Sequence, residues 1–379
     1  MQPWREKYLV FGSPFIGAEE RAEVMACIDS GWLGTGPRVQ RFEQDFRRYV
    51  GAAHAVAVSS GTAALHLALR ELGLEPGSEV ILPAMTFVAS ANAVVHAGYR
   101  PVFADCDART FNIDVKDVER RIGPRTRALL PVHFAGRPCE MEPLMALAER
   151  HGLRVVEDCA HAIESTYAGR HCGTFGDFGA FSFYVTKNVT TVEGGMVTAR
   201  DEAQADRVKI AALHGMSKDA WKRFSDDGHV HYDVQSPGFK YNLTDLAASF
   251  GIHQLARVDA MHARRARLWD FYQRELRDLP LQLPEPPAPG TRHAFHLFTC
   301  LTHDGFSRDA VIRGLHGLRI GSGVHYRAIH LHKYYREAFP SHCPNAASIG
   351  ERTFSIPLSG ALSDDDAADV VRALRAVLA

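Results

Sequence analysis

One lysine stands where a buried strand is expected to end. Lys187 follows the apolar run 179–184 and precedes the Gly194-Gly195 pair. Partial desolvation makes such a lysine lose its proton more easily, and the neutral amine can then form a Schiff base with a carbonyl. The common alternative is a lysine in a surface loop, since lysine side chains are mostly exposed. Ser182, which precedes Lys187 in the same segment, adds a hydroxyl that can contact a phosphate.

A carboxylate follows another apolar run. Asp158 comes directly after residues 154–157, and ligands of open α/β sheets gather where the strands end. A carboxylate at that place can keep a pyridine nitrogen protonated, which makes a pyridine cofactor an electron sink. An aspartate that caps the next helix fits the pattern equally well. His161 can contact the same ring, although a buried, hydrogen-bonded histidine is the more common case.

Two expected helix starts carry polar residues. Gly61 and Thr62 lie between the apolar run 55–58 and a helical pattern, where glycine permits a tight turn and the free N–H groups of the first helical turn favour a phosphate. Asn242 stands just before a second helical pattern. Ordinary helix capping explains each of these segments as well. Each motif is therefore weak when it is taken alone.

The elements that position these residues are short apolar runs alternating with helical patterns. The runs are 55–58, 79–83, 101–105, 127–132, 154–157, 179–184 and 195–198. Most are continuous rather than alternating, as in strands that are covered on both faces. Helical patterns lie between several of them, at 62–72, 87–97 and 141–151. This order predicts an α/β fold with a mostly parallel seven-stranded sheet.

The pattern changes in the last third of the chain. Residues 246–276 have the pattern of one or two helices, and the proline-rich stretch 283–290 cannot continue them. One strand pattern and two helical patterns follow, at 296–301, 308–315 and 364–378. We therefore predict a large α/β domain over residues 1–245 and a smaller α+β domain over residues 246–379.

Bulk composition excludes several classes of protein. The chain has 379 residues, of which 46% are hydrophobic and 23% charged, as in ordinary globular proteins. Its formal net charge of -1 gives no electrostatic reason to expect nucleic-acid binding. No run reaches the ~18 apolar residues of a membrane span, and residues 1–7 lack the apolar core of a signal peptide. We expect a cytoplasmic protein that contacts neither nucleic acid nor membrane.

The cysteines and histidines predict no metal site. The seven cysteines form no C-x-x-C pair, which favours reduced thiols in the cytosol. His325, His330, His332 and Cys343 are the alternative that points to a metal. The histidines are unevenly spaced, however, and no closed four-ligand pattern appears.

All of these motifs together, in this order, resemble the DegT/StrS-type sugar aminotransferases, a family that uses pyridoxal 5′-phosphate (PLP). The resemblance extends from residues 30–37 to residues 323–327. Residues 238–246 and 321–337 are most similar to the ArnB-like branch, which makes 4-amino-4-deoxy-L-arabinose. The resemblance implies PLP fold type I, the aspartate aminotransferase-like fold, and a homodimer with shared active sites.

The resemblance also implies roles for individual residues. Lys187 matches the lysine that binds PLP covalently, Asp158 matches the partner of the pyridinium nitrogen, and His161 matches a position that supports the cofactor ring. The other cofactor positions are an aromatic stacking residue, three phosphate-binding residues, and one residue donated by the neighbouring subunit, namely Phe87, then Gly61, Thr62 and Ser182, then Asn242. The segments that line the sugar-nucleotide site contain Thr35, Tyr184, His325 and Tyr326.

The implied reaction moves an amino group from L-glutamate to a keto carbon, C4 rather than C3, of a UDP- or dTDP-linked keto sugar. Dehydratases of the family replace the lysine with histidine, so Lys187 favours amino transfer. Amination at C3 and a PLP-dependent dehydratase or lyase on the same fold stay open, because one fold supports many reactions. A cofactor-binding sensor without turnover is disfavoured by the intact Lys187.

Overall fold

The computed structural model of the chain describes residues 4–217 and 233–379. Residues 1–3, part of the segment judged not to be a signal peptide, lie outside these ranges. The described α-helices are α1 (Ala18–Asp29), α2 (Pro37–Val50), α3 (Gly61–Arg70), α4 (Val88–His96), α5 (Val115–Arg121), α6 (Met141–His151), α7 (Glu202–Ala212), α8 (Asp245–Ala256), α9 (Val258–Glu275), α10 (Arg308–Gly317), α11 (Lys333–Ala338), α12 (Pro344–Arg352) and α13 (Asp364–Leu378). The described strands are β1 (His54–Val58), β2 (Glu79–Pro83), β3 (Arg100–Ala104), β4 (Thr126–Leu129), β5 (Arg154–Asp158), β6 (Thr166–Tyr167), β7 (Arg170–His171), β8 (Phe178–Ser182), β9 (Gly195–Ala199), β10 (Leu281–Gln282), β11 (Thr291–Arg292), β12 (Phe298–Thr302) and β13 (Thr353–Ile356).

The seven predicted apolar runs form one sheet. Its strand order is β1-β9-β8-β5-β4-β2-β3, and only β9 runs antiparallel to its neighbours. The predicted α/β fold with a mostly parallel sheet is therefore confirmed. Because β1, β5 and β8 run in the same direction, their carboxyl ends meet at one edge of the sheet. Asp158 pairs with Ala180, while Ser182 and Val58 both pair with Gly195, at that edge.

Helices cover both faces of this sheet. Val80 and Leu82 of β2 belong to a core cluster with residues of α3, α4 and α7, whereas Ile81 belongs to a second cluster with residues of α5 and α6. The alternation follows from the two-residue period of a strand. Both faces are apolar, which is why the strands read as continuous hydrophobic runs. No helix in the described part of the chain is both long and apolar enough to span a bilayer.

A separate core lies towards the carboxyl end of the chain. It packs α9, α10 and α13 against β12 and β13, with Trp269, Tyr272, Phe298 and Phe354 fully buried. The predicted helical stretch 246–276 is two helices, α8 and α9, which are separated at Arg257. Helix α8 packs against α1 and α2. The domain boundary between residues 245 and 246 stays a prediction.

Candidate active site

A cavity of ≈ 430 Å³ opens at the carboxyl edge of the sheet. Strand ends, the loops that follow them, and two segments from the last third of the chain form its walls. The predicted site residues that line it are Gly61, Thr62, Phe87, Asp158, His161, Ser182, Tyr184, Lys187, His325 and Tyr326. The other two predicted residues, Thr35 and Asn242, lie elsewhere. The structure thus brings most of the predicted residues into one chamber.

Asp158 is the last residue of β5 and is 4% exposed. Its Oδ2 accepts a hydrogen bond from the Ser90 hydroxyl at 2.7 Å, and its Oδ1 accepts one from the Ala160 N–H at 3.1 Å. Burial raises the pKa of Asp158, whereas these two hydrogen bonds and the nearby Lys187 act in the opposite direction. The carboxylate is consequently held in a fixed orientation at the wall of the cavity, where a cationic partner favours its charged form.

Lys187 lies in the loop after β8, and its backbone N–H donates to the Tyr184 carbonyl at 2.9 Å. Burial lowers the pKa of Lys187 to about 8, and the Asp158 carboxylate opposes that shift. At pH 7 about one Lys187 amine in ten is then uncharged, against roughly one in three thousand for an ordinary lysine. A neutral amine is the form that attacks an aldehyde.

The start of α3 supplies an anion site. The Ser60 hydroxyl caps the helix by accepting from the Ala63 N–H at 3.0 Å, and the N–H groups of Gly61 and Thr62 contact no acceptor in the described ranges. A Cβ on residue 61 would lie 2.7 Å from Cβ of Ser182, so only glycine lets the helix start approach β8 this closely. Ser182 therefore borders the same free N–H groups, as a phosphate site at a helix N-terminus requires.

Aromatic rings flank the space between Asp158 and Lys187. Phe87 precedes α4 and is 55% exposed, with its ring centroid 5.7 Å from that of Tyr326. His161 accepts from the Ala135 N–H through Nδ1 at 3.2 Å, which places its proton on Nε2, 3.2 Å from the Tyr326 hydroxyl. Burial lowers the pKa of His161 well below its ordinary value, so the ring is neutral.

These groups fit PLP. An amine of lowered pKa for the aldehyde, a buried carboxylate for the pyridine nitrogen and a helix start for the phosphate all border one cavity. The exposed Phe87 ring gives an apolar surface on which a pyridine ring can stack.

Several wall residues were not predicted: Phe11, Thr86, Ser90, Glu193 and His296. Ser90 had a usable signal, because it lies one helical turn after Phe87 within a predicted helix. Phe11 had none, since its loop reaches the cavity through the long-range contact between Leu9 and Ile320.

Thr35 and Asn242 meet each other outside the main cavity. The Asn242 side-chain N–H donates to the Thr35 hydroxyl at 2.7 Å, and both residues line a smaller cavity of ≈ 190 Å³. Asp245 fixes the Thr35 loop because its carboxylate accepts from the Gly36 N–H at 2.8 Å. Within one chain, therefore, these two predicted residues do not border Lys187.

The histidine and cysteine set named as a metal alternative is not brought together within the described ranges. His325 is bound to the Ser355 hydroxyl, and Cys343 contacts the Phe103 carbonyl. The one group there with metal-ligand spacing is His133, Glu157 and Cys159. Its Glu157 carboxylate already accepts from three backbone N–H groups at 2.7 to 2.8 Å, so its lone pairs are engaged without an ion.

The model of the DegT/DnrJ/EryC1/StrS aminotransferase family matches residues 14–375. The chain belongs to this family. SpsC of Bacillus subtilis, a spore coat polysaccharide biosynthesis protein, is 45% identical over 381 aligned residues, which cover 99% of this chain and 98% of SpsC. Family membership makes this chain an aminotransferase and an enzyme.

Solved structures agree with this assignment. Spr1654 from Streptococcus pneumoniae, in its PLP form, has a TM-score of 0.91 at 31% identity and is covered to 98%, as is this chain. Helicobacter pylori PseC, an aminotransferase of pseudoaminic acid biosynthesis, has a TM-score of 0.92 at 27% identity, with 98% of this chain and 99% of PseC covered. Both confirm fold type I. The comparisons do not support the predicted ArnB-like branch, since the relatives they bring out are of the SpsC and PseC types.

Proposed function

We propose that this sugar aminotransferase binds PLP on Lys187 and moves an amino group from L-glutamate to the C4 keto carbon of a nucleotide-linked sugar. One observation carries the proposal: Lys187 and Asp158 share a cavity with the free N–H groups at the start of α3. No other pair of titratable groups in the described chain combines an amine of lowered pKa with a buried carboxylate in the wall of one cavity.

The groups of the cavity have different roles in this reaction. When bound, PLP supplies the electron sink that stabilises negative charge on the carbon next to the amino group. Asp158 keeps the pyridine nitrogen protonated, and Ser90 holds that carboxylate in place. Lys187 would hold the cofactor through its aldehyde, and its amine, once free, would carry the proton between the α carbon of the donor and the cofactor carbon.

The other side of the cavity suits a sugar. His325 is fixed by the Ser355 hydroxyl, 2.9 Å from its Nδ1, and its ring stacks on Phe11 at 5.3 Å. Burial lowers the pKa of His325 to about 4, with Lys187 adding to the effect, so the ring is a neutral hydrogen-bonding group at pH 7. Tyr184 is 44% exposed and offers a further hydroxyl. Neutral donors and acceptors of this kind suit the hydroxyl groups of a sugar better than the two carboxylates of L-glutamate.

The polysaccharide role of SpsC and the pseudoaminic acid role of PseC support a sugar acceptor. The nucleotide and the C4 position rest on the family resemblance of the sequence motifs. The cytoplasmic location stays a prediction.

The half-reactions test this proposal. PLP-loaded protein incubated with L-glutamate alone should form pyridoxamine phosphate and one equivalent of 2-oxoglutarate, visible in the absorption spectrum. A panel of UDP- and dTDP-linked 4-keto and 3-keto sugars should then restore the PLP form, with the 4-keto sugars fastest. Ammonia release without pyridoxamine phosphate would instead indicate a lyase, and reaction with free keto acids alone would refute the sugar acceptor.

We further propose a homodimer in which Asn242 lies at the phosphate site of the partner subunit. Asn242 is turned away from its own cavity and binds the hydroxyl of Thr35, whose carbonyl accepts from the Trp32 side chain. The segments around it carry exposed apolar side chains, each more than a third exposed: Met25, Ile28, Trp32, Leu33 and Leu246. Leu246 and Leu33 are in contact, since the Leu246 N–H points to the Leu33 carbonyl at 3.4 Å. Several exposed large apolar side chains in neighbouring segments are typical of an interface.

Mixing two inactive variants tests the shared site. Lys187→Ala and Asn242→Ala subunits should each be impaired, whereas a heterodimer pairs one doubly defective site with one intact site. Random exchange should therefore restore about a quarter of wild-type activity, since half of the dimers have one good site of two. Proven exchange without rescue would show that Asn242 does not act across subunits.

A further inference from the structure

His296 lies in the cavity wall just before β12 and is 7% exposed. Its ring centroid is 4.4 Å from that of His161, at an interplanar angle of 33°. None of the contacts proposed so far with the cofactor or the sugar involves His296. Buried polar groups are nearly always hydrogen-bonded, so a buried imidazole in the cavity wall is expected to have a hydrogen-bond partner.

A single hydrogen bond sets which nitrogen of His296 carries the proton. The Asn188 side-chain N–H group donates to Glu164 Oε2 at 2.8 Å and to the Ala294 carbonyl at 3.0 Å. With its N–H group engaged, Asn188 presents Oδ1, an acceptor, 3.0 Å from Nδ1 of His296. His296 must therefore donate from Nδ1, and the neutral ring keeps a lone pair on Nε2. No described side chain or backbone group pairs with that Nε2.

Buried charged side chains fix the orientation of the Asn188 amide. Glu164 forms an ion pair with Arg265, and both side chains are almost fully buried. Nε of Arg265 also donates to the Ala294 carbonyl at 3.3 Å. Turning the Asn188 amide around would aim its oxygen at the Glu164 carboxylate and its N–H group at the His296 N–H. Two repulsive contacts make that alternative unfavourable.

The ring of His296 stays neutral in this setting. Burial lowers its pKa well below the ordinary value, and the positive charges of Lys187 and Arg265 act in the same direction. Nε2 is accordingly a hydrogen-bond acceptor throughout the neutral pH range. A sugar hydroxyl can donate to such a nitrogen, whereas the two carboxylates of L-glutamate cannot, because ionised carboxylates only accept.

We propose that His296 is a specificity-determining residue for the sugar: its Nε2 accepts a hydrogen bond from the hydroxyl next to the keto carbon, and Asn188 is the positioning residue that sets this tautomer. The inference rests on the proposed function. His296 and Lys187 line the same cavity, so the ring can face the sugar near the carbon that receives the amine. For a 4-keto sugar the hydroxyl is the one on C3.

The test is a two-by-two comparison of enzyme and substrate. Wild type and His296→Phe, which keeps a ring against His161 but has no Nε2, are loaded with pyridoxamine phosphate. Each is assayed with a UDP-linked 4-keto-6-deoxyhexose and with its 3-deoxy analogue. In wild type, loss of the 3-hydroxyl should lower kcat/KM about tenfold, as expected for one hydrogen bond, and His296→Phe should lower it as much for the parent sugar. In His296→Phe the 3-hydroxyl should make no further difference.

Controls separate this role from a loss of folding. His293→Phe removes a buried histidine of the same segment that does not border the cavity, and it should leave the 3-deoxy penalty at the wild-type value. Asn188→Ala should shrink that penalty as His296→Phe does, since His296 loses its fixed tautomer. A merely structural role of Asn188 would slow every reaction and leave the penalty unchanged.

The half-reaction with L-glutamate distinguishes a failure of the proposed aminotransferase function from a failure of the proposed role of His296. If wild type forms no 2-oxoglutarate from L-glutamate, the proposed aminotransferase function fails. If that half-reaction proceeds but no nucleotide keto sugar of the panel restores the PLP form, the substrate class and the role of His296 are both overturned. If the 3-deoxy penalty is equal in wild type and His296→Phe, or if His296→Phe slows both half-reactions alike, only the role of His296 is refuted.

Discussion

On one side of the cavity, Asp158, Lys187 and the start of α3 come from the carboxyl ends of parallel strands in a single sheet. On the other side, Phe11, His296 and His325 come from segments that lie far apart in the chain. The first group is placed by the sheet register, which allows little freedom. The second depends on how remote loops dock, and such loops are where members of one fold vary in specificity. The comparison teaches that the shared chemistry and the substrate choice are built by different kinds of structure.

The largest effect is expected when the Lys187 amine, at the carboxyl edge of the sheet, is removed. Lys187→Ala should reduce both half-reactions at least a thousandfold, because covalent capture of PLP and the proton transfer are lost together. Borohydride should attach PLP irreversibly to wild type, and peptide mapping should find it on Lys187. The circular dichroism spectrum of the variant serves as the folding control. Label on another lysine would contradict the assignment.

The next effect concerns the carboxylate. Asp158→Asn keeps the shape of the side chain but cannot hold the pyridine nitrogen protonated, so both half-reactions should slow by about a hundredfold or more. Ser90→Ala removes only the hydroxyl that holds Oδ2 of Asp158 at 2.7 Å and should cost far less, about tenfold. Single-turnover rates with L-glutamate measure both. Equal losses in the two variants would mean that the charge of Asp158 is not what matters.

A smaller and selective effect is expected on the sugar side. His325→Ala should weaken use of the nucleotide sugar about tenfold, because the ring anchored by Ser355 no longer borders the substrate. The glutamate half-reaction should change by less than about twofold, as the ring touches none of the cofactor groups. Comparing kcat/KM for the two substrates checks this. If both half-reactions slow equally, the division between the two sides of the cavity is wrong.

The same division explains what could be predicted from the sequence. Strands covered on both faces appear as continuous apolar runs, and all seven were found within a few residues of their bounds. The polar residues at their ends, Asp158 and Lys187 among them, then had to meet at one edge. Helix α2 was missed although it has the signals of one: Pro37 at its first position, and Phe42, Phe46 and Val50 at helical spacing on a buried face.

The sugar side could not be predicted in the same way. The strand pattern 296–301 includes His296, yet β12 begins at Phe298, and the histidine precedes the strand and lines the cavity. Its role depends on Asn188 and on the buried Glu164–Arg265 pair, contacts that join residues more than a hundred positions apart in sequence. Local pattern carries no information on such contacts. The ArnB-like branch, predicted in part from residues 321–337, is not supported for a related reason. Similarity within one loop does not determine which remote residues that loop contacts.

The smallest predicted effect is a shift of pH rather than a loss of activity, and it concerns Lys187 before the cofactor binds. Burial lowers the pKa of Lys187 to about 8, and only the uncharged amine captures the aldehyde. The rate at which cofactor-free protein captures PLP should therefore rise with pH below 8, about tenfold per pH unit, and level off above 8. An ordinary lysine would keep gaining up to about pH 10.4. Pyridoxal, which has no phosphate to titrate, should give the same midpoint because the titrating group belongs to the protein.

The Asp158→Asn variant sharpens that measurement. The Asp158 carboxylate raises the pKa of Lys187 against the larger effect of burial, so its neutralisation should move the midpoint of the capture rate below 8. Stopped-flow absorbance of the captured cofactor, recorded from pH 6 to pH 10, resolves both curves. A rise that continues to pH 10 in wild type would show that Lys187 is solvated like a surface lysine. A midpoint that stays at 8 in Asp158→Asn would show that Lys187 and Asp158 do not interact. The residues at the strand ends would then not act as one electrostatically coupled group.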